Sequence, residues 1–327
     1  SHGMVSATNL IVRHSFGSGG PTVALNAHGD VVPPGDGWAH DPYGAEIVDG
    51  WMFGRGAAVS KSDYATYAFA LRALQNSALD LNGTVELHFT YDEETGGMTG
   101  PGWLLEQGVT KPDFVLSAAL SYNVIVAHNG CLHLEVSVRG LSAHAGRPET
   151  GHDAIEAGTA ILQALYAHRA DLEKRLSDTP GIGHPTLVVG LIEGGINTNV
   201  VPDLMRFRVD RRIIPEENPD DVEAETRTVI EAAAASLDGI TVETAQILLA
   251  RPFAPVPGSD ALVDILCRHA SEVMGEPVTP AGVPLYTDAR LYAEAGIPTA
   301  MYGAGPRSVL EANGHRADEK IALTDLS

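Results

Sequence analysis

The chain has 327 residues, 44% of them hydrophobic and only 6% aromatic, with 35 glycines and a formal net charge of -21. That length admits two domains, or one large core with an inserted module, and the balance suits an α/β protein rather than a disordered chain. The acidity argues against nucleic acid and anionic membranes as partners, since both would be repelled.

No apolar run approaches the roughly 20 residues that cross a bilayer, and no signal-peptide pattern opens the chain. Two cysteines, Cys131 and Cys267, make neither a disulfide framework nor a four-cysteine zinc site. A reducing, cytoplasmic setting is expected, with each cysteine a small buried apolar side chain. The opening Ser1-His2-Gly3-Met4 reads as a tag remnant.

In chain order, residues 22–25 form a short apolar run, a predicted strand ending in the polar loop Asn26-Ala27-His28-Gly29-Asp30. Residues 64–74 are rich in alanine, with Tyr67, Leu71 and Leu74 at helical spacing. Residues 84–91 are strand-like and run into Asp92-Glu93-Glu94-Thr95-Gly96-Gly97; residues 115–120 give another strand. Polar clusters at strand ends, with helices following, are where open α/β sheets place their ligands.

The texture then changes. Across 131–138, Leu132, Leu134, Val136 and Val138 alternate with His133, Glu135 and Ser137, the period of a half-buried strand. A helix is expected over 153–176, strands over 186–192 and 205–213, a helix over 220–235 and a strand over 241–249. Strand-helix-strand-strand-helix-strand is the order of a split βαβ sandwich. It predicts a small domain over 131–249, inserted into a larger α/β domain made of 1–130 plus 250–327, where the αβ pattern resumes from Ser259.

The candidate chemistry sits in separated clusters. A histidine two residues before an aspartate, as in His28-Gly29-Asp30, can offer one ring nitrogen to a metal while the aspartate fixes the ring. Alone, such a histidine is more often ordinary surface. In the adjacent pair Glu93-Glu94, one carboxylate can bind metal while the other serves as base; the bland reading is a solvated acidic turn. Near the end, Asn313-Gly314-His315-Arg316-Ala317-Asp318-Glu319 holds a second candidate ligand, and Ser142-Ala143-His144-Ala145-Gly146-Arg147-Pro148 follows the first strand of the inserted domain.

Several runs together resemble the signatures of the dinuclear metallohydrolase superfamily of acetylornithine deacetylase, succinyl-diaminopimelate desuccinylase and carboxypeptidase G. They are Asn26-Ala27-His28-Gly29-Asp30-Val31-Val32-Pro33, Gly54-Arg55-Gly56-Ala57-Ala58, Glu93-Glu94, Ser142-Ala143-His144, Gly194-Gly195-Ile196-Asn197-Thr198-Asn199-Val200-Val201-Pro202 and Thr287-Asp288-Ala289-Arg290. Each is unspecific alone; in this order, across residues 22–319, they are specific.

The resemblance implies a catalytic α/β domain interrupted by a ferredoxin-like (βαββαβ) lid that commonly pairs two subunits, hence a homodimer. It implies His28 as metal ligand with Asp30 behind it, Glu93 as general base, and Glu94 and His315 as further ligands. It implies His144 as the oxyanion donor, often across the dimer. Asn199, Arg212, Arg290, Gly303 and Gly305 stand where relatives hold the substrate carboxylate and acyl group. In such a site a divalent ion lowers the pKa of its water towards roughly 7, and the base carries that proton to the leaving amine.

Two positions depart from the pattern. Where the family expects an aspartate bridging two metals the chain has Val59, and where it expects a further carboxylate ligand it has Ala119. Neither side chain binds metal. The expectation is therefore one divalent ion, zinc or manganese with iron as a further option, held by His28, Glu94 and His315, and no second metal.

Asp63 lies one helical turn after Val59 and either leans back over the vacated position or stabilises a helix N-terminus. Relatives usually carry a helical segment before the first strand and a final helix beyond the last; the sequence lacks both and reads as a piece of a longer chain.

The expected function is hydrolysis of an amide or other C–N bond in a small acylated amino acid or aromatic amide, with deamination of an activated ring as a variant. The competing reading is a homologue with a degenerate metal site that binds a small molecule without catalysis.

Overall fold

A computed structural model describes residues 6–326. The expected tag remnant, Ser1 to Met4, lies outside the described residues. The chain divides into two units: one runs up to Ala127 and includes Phe253–Gly282 and everything from Thr287, and the other comprises His128–Pro252 and Val283–Tyr286.

The first unit is built on a seven-stranded sheet, in the order Leu10–Phe16, Gly83–Thr90, Thr22–His28, Phe114–Ser117, Thr299–Met301, Asn123–His128 and Thr279–Val283. Thr22–His28 runs parallel to both neighbours, and Thr299–Met301 runs parallel to Phe114–Ser117. Parallel strands are covered on both faces and so read as near-continuous apolar runs. Helix Ser62–Asn76 covers one side, where Tyr67 and Leu71, one turn apart, meet Ala27, Leu87, Phe89 and Ala118. Tyr292 of the short helix Ala289–Glu294 clusters with Ala24, Val115 and Ile297. Because these four strands share a direction, the loops after His28, Thr90, Ser117 and Met301 leave the sheet at one rim.

Some elements carry little sequence signal. The edge strand Leu10–Phe16 lacks a clean alternation, and the three-stranded sheet of Glu46–Val48, Trp51–Phe53 and Lys320–Ala322 is built from three-residue strands. The strand expected over 115–120 ends at Ser117, where the Ala118 N–H turns to the Asn26 carbonyl at 2.8 Å.

The second unit holds a four-stranded antiparallel sheet, in the order Thr186–Gly194, Leu204–Ile213, Gly130–Arg139, Thr241–Ala250. With Gly130–Arg139 and Leu204–Ile213 central, this is the ferredoxin-like arrangement. Helices Ala154–Leu172 and Pro219–Ala234 bury Ile161, Leu165, Val222 and Ile230 against Leu132, Leu134, Val136, Met205, Phe207 and Val209. The period of two sends Cys131, His133 and Glu135 to the opposite face.

Both helix starts have a local cause. Asp153 accepts from the N–H groups of Ile155 and Glu156, and Asn218 accepts from that of Asp220 with Pro219 in the first position. The first helix ends at Leu172 rather than near 176, beyond which Arg175 is drawn off to Glu225.

Candidate active site at the strand-end rim

His28 closes its strand and is buried at 8% exposure, with its N–H donating to the Ser60 hydroxyl at 3.1 Å. Gly29 follows because nothing larger fits: a Cβ there would lie 2.2 Å from the Tyr91 ring and 2.7 Å from the Tyr64 hydroxyl. Asp30 then does two things. One oxygen sits 3.3 Å from His28 Nδ1, and the carboxylate accepts the backbone N–H groups of Glu93 at 3.3 Å and Glu94 at 3.0 Å. A single aspartate thus fixes both the imidazole and the turn that carries the glutamate pair.

The result is a convergence of donors. One ligand atom each from His28, Glu93 and Glu94 lies within 4.8 Å of the others. His28 Nε2 faces Glu93 Oε2 at 4.0 Å, too far for a hydrogen bond. His315 meets this group through Glu94, Nε2 to Oε1 at 3.5 Å, from a loop whose Asn313, His315 and Asp318 all have positive φ. The three that gather most closely are His28, Glu93 and Glu94; the sequence pointed to His28, Glu94 and His315.

The charges are unbalanced. Burial alone would lower the His28 pKa, but the bond to Asp30 and the charges of Glu93, Asp30 and Asp288 overcome it and raise it to about 9. Burial pushes Glu93 and Asp288 well above the carboxylate range, against the pull of His28 and with help from neighbouring acids. Lys61 is pushed down by burial, opposed by Asp30, Glu319 and Glu94. The rim therefore concentrates acid around one imidazole. The His28 imidazole and the Glu94 carboxylate, with the His315 imidazole beside Glu94, are donors that suit zinc or manganese, and a divalent cation would relieve this excess of negative charge. Val59 and Ala119 add no donor to it.

Other expected residues have different partners. Asp63 is fully buried, burial raises its pKa to about 7, and its carboxylate accepts the Ala304 N–H at 2.8 Å; it lies outside the His28 group. Gly303 must be glycine beside it, since a Cβ would come within 1.9 Å of Asp63 Oδ1. The Gly305 carbonyl accepts the Ser121 hydroxyl at 2.6 Å, so this loop is fastened to the end of the strand Phe114–Ser117. Arg290 is 4% exposed and donates to the Gly96 carbonyl at 2.6 Å, bracing the glutamate turn from below.

Sequence reasoning missed a set of supports. Arg55 and Glu319 form an ion pair at 2.6 Å with side chains 1% and 4% exposed, and Arg55 also donates to the Arg316 carbonyl beside His315. The Gly54-Arg55-Gly56 run held that signal, but its partner lies 264 residues away. Asp288 sat unremarked inside the motif that supplied Arg290.

His144, Asn199 and Arg212 belong to the second unit. Ala143–His144 pairs with Val200–Val201, which brings the exposed His144 and Asn199 close together, with the Asn199 carbonyl accepting the Ala145 N–H at 3.0 Å. Arg212 is held by both oxygens of Asp210, at 2.9 and 3.1 Å.

Comparison with known proteins gives consistent results. The family described as "Peptidase family M20/M25/M40" matches residues 24–327. A succinyl-diaminopimelate desuccinylase of Acidiphilium cryptum is 29% identical over 333 residues, covering 98% of this chain and 82% of that protein. Another, from Rhizorhabdus wittichii, is 30% identical over 322 residues, covering 95% and 79%. Among solved structures, the M20 family metallo-carboxypeptidase Sso-CP2 from Sulfolobus solfataricus has a TM-score of 0.78 at 18% identity, covering 97% of this chain and 84% of that one, a likeness of fold.

Proposed function

The chain belongs to peptidase family M20/M25/M40, metallohydrolases that cleave amide and peptide bonds, and from that premise we propose that it hydrolyses the amide of a small N-acylated amino acid using one divalent cation. His28 and Glu94 would hold the ion, zinc or manganese, with His315 as the further donor beside Glu94. When bound, such a cation polarises the scissile carbonyl and acidifies the attacking water.

The rest is done by side chains of the chain itself. Glu93, buried and with its pKa raised, accepts the water's proton on a carboxylate oxygen and returns it to the departing nitrogen. Asp30 keeps the His28 ring oriented so that Nε2 faces the donors. Asp63 and Arg290 act as positioning residues, holding the loop at Ala304 and the turn at Gly96. The succinylated substrate in the relatives' names supports an acyl amino acid as the substrate class.

The observation that carries this reading is the gathering of His28, Glu93 and Glu94 around one point, with Asp30 tying both segments. The test is a panel of N-succinyl and N-acetyl amino acids and dipeptides, assayed after chelation and again after adding back zinc or manganese. Metal-dependent turnover of at least one acyl amino acid is expected. No turnover with any metal, by a folded chain that still binds these amides, would establish the competing reading, a non-catalytic binding protein, which Val59 and Ala119 favour.

A homodimer paired through the ferredoxin-like unit is part of the proposal, supported by Val188, Leu191 and Ile192 exposed along the edge strand Thr186–Gly194. Sedimentation as a monomer at micromolar concentration would remove it. Among the described residues no helix is long and apolar enough to cross a membrane.

A further inference from the structure

The geometry points to another metal centre, on the open face of the four-stranded sheet, in which Cys131, His133 and Asp210 together take one zinc-class divalent ion. All the residues that build it belong to the second unit, so it stands independently of the proposal for the rim.

The strands themselves make the cluster. Cys131 and His133 are two apart on Gly130–Arg139 and share a face, and Asp210 lies directly across from His133 in the register with Leu204–Ile213. Both edge strands carry a bulge alongside, between Val189 and Leu191 and between Gln246 and Leu248. Gly190, Leu191 and Ile247 there line a groove of about 280 Å³ with His133, Arg208 and Asp210. Bulges re-aim side chains beside functional sites.

The distances are those of hydrogen bonds, within a few tenths of an ångström of the spacing an ion would need, and the valences decide between the two. Cys131 Sγ lies 3.1 Å from His133 Nε2, that same nitrogen lies 3.0 Å from Asp210 Oδ2, and Sγ lies 3.8 Å from Asp210 Oδ1. A tetrahedral zinc with S at about 2.3 Å and N or O at about 2.0–2.1 Å sets its donors about 3.3–3.6 Å apart. One imidazole nitrogen cannot serve both neighbours by hydrogen bonding. If it accepts the thiol proton it opposes the carboxylate with a lone pair, and if it donates to the carboxylate the thiol is left a long contact to Oδ1. A cation satisfies sulfur, nitrogen and oxygen together.

The surroundings suit the ion too. Cys131 is fully buried, whereas the side chains of His133 and Asp210 are 34% and 31% exposed towards the groove, which leaves a fourth position open to solvent. The guanidinium of Arg212 remains on Asp210, whose two oxygens offer lone pairs for both partners. Arg208 is neutralised by Glu135 at 2.9 Å. Binding releases the Cys131 thiol proton to solvent, leaving a net charge of zero on thiolate, carboxylate, ion and imidazole, with the Arg212 cation beside them.

Cobalt reads this site selectively, because the rim has no sulfur donor. Cobalt(II) added to the chelator-stripped full chain is expected to give a near-ultraviolet thiolate charge-transfer band, and in His28→Ala, where the rim has lost its ligand, that band should saturate at one ion per chain. The band should persist in His28→Ala and in Cys267→Ser, disappear in Cys131→Ser, and need at least tenfold more cobalt in His133→Asn. No band in the unaltered chain overturns the proposal, as does a band kept by Cys131→Ser. If Cys131→Ser does not fold, the partly exposed His133 decides: an unchanged cobalt titration in His133→Asn overturns the proposal equally.

Discussion

The two clusters of metal-ligating side chains among the described residues are built by opposite means. At the rim, His28 closes one parallel strand and Glu93 and Glu94 sit in the turn after another, tied together by the Asp30 carboxylate that accepts from the turn's N–H groups, with surplus acid buried around one imidazole. On the second unit's sheet, Cys131, His133 and Asp210 are placed by register alone, on rigid strands, with one carboxylate and an arginine on it. Loops let the rim bring distant segments together and leave a base unbound beside the donors. Strands fix the sheet cluster's geometry but offer it no spare proton acceptor. Acyl transfer needs the first arrangement, and a static or regulatory ion suits the second.

Replacing the proposed base gives the largest expected effect. Glu93→Gln keeps size and removes the proton acceptor, so steady-state assays should show kcat down by about 10²–10⁴-fold with metal content unchanged. A rate within a few-fold of the unaltered enzyme would remove the base from Glu93.

Next comes the buried pair beneath the His315 loop. Arg55→Leu leaves the Glu319 carboxylate buried without its partner and should cost about 3–5 kcal/mol in urea unfolding. Adding Glu319→Leu should recover most of that loss of stability while His315 loses its anchor, so stability returns but activity does not. Equal recovery of both would show that the pair does not position the loop.

The third experiment is a pH test of a part of the first unit that is not at the rim. Burial would raise Glu86, but bonds from His88, Thr110 and Arg13 hold its pKa to about 2. A depressed folded-state value contributes stability that is present above the unfolded value, near 4.5, and is lost as pH falls from there towards 2. Glu86→Gln should flatten the stability profile in that window and cost about 1–3 kcal/mol at neutral pH. A slope unchanged by the substitution would place the acid sensitivity elsewhere.

Smallest is Glu135→Gln on the sheet face, which opens a partly exposed pair with Arg208 and should cost at most about 1 kcal/mol. A larger loss would mean that this face is under more constraint than its register supplies.

Much of this was legible in the sequence. The alternation across 131–138 and the order of strands and helices after it made the ferredoxin-like unit readable, because period is local; the caps at Asp153 and Asn218 were not read. His28, Asp30, Glu93 and Glu94 were readable as strand-end clusters for the same reason. The Arg55–Glu319 pair was not, since nothing local tells an arginine which acid will meet it 264 residues later. Nor was Asp63's attachment to Ala304, which depends on how the loop after Met301 comes back across the rim. Cys131 was read as a small apolar side chain; its place beside His133 and Asp210 needs the pairing register, which no single strand reveals.

The most direct measurement is metal content per chain in Cys131→Ser, which leaves the rim as the remaining intact donor cluster among the described residues, with and without His28→Ala after saturation with zinc or manganese and desalting. About one ion per chain, lost when His28 is replaced, is the predicted result. An ion retained without His28, or none bound even with it, would contradict the rim as the metal centre.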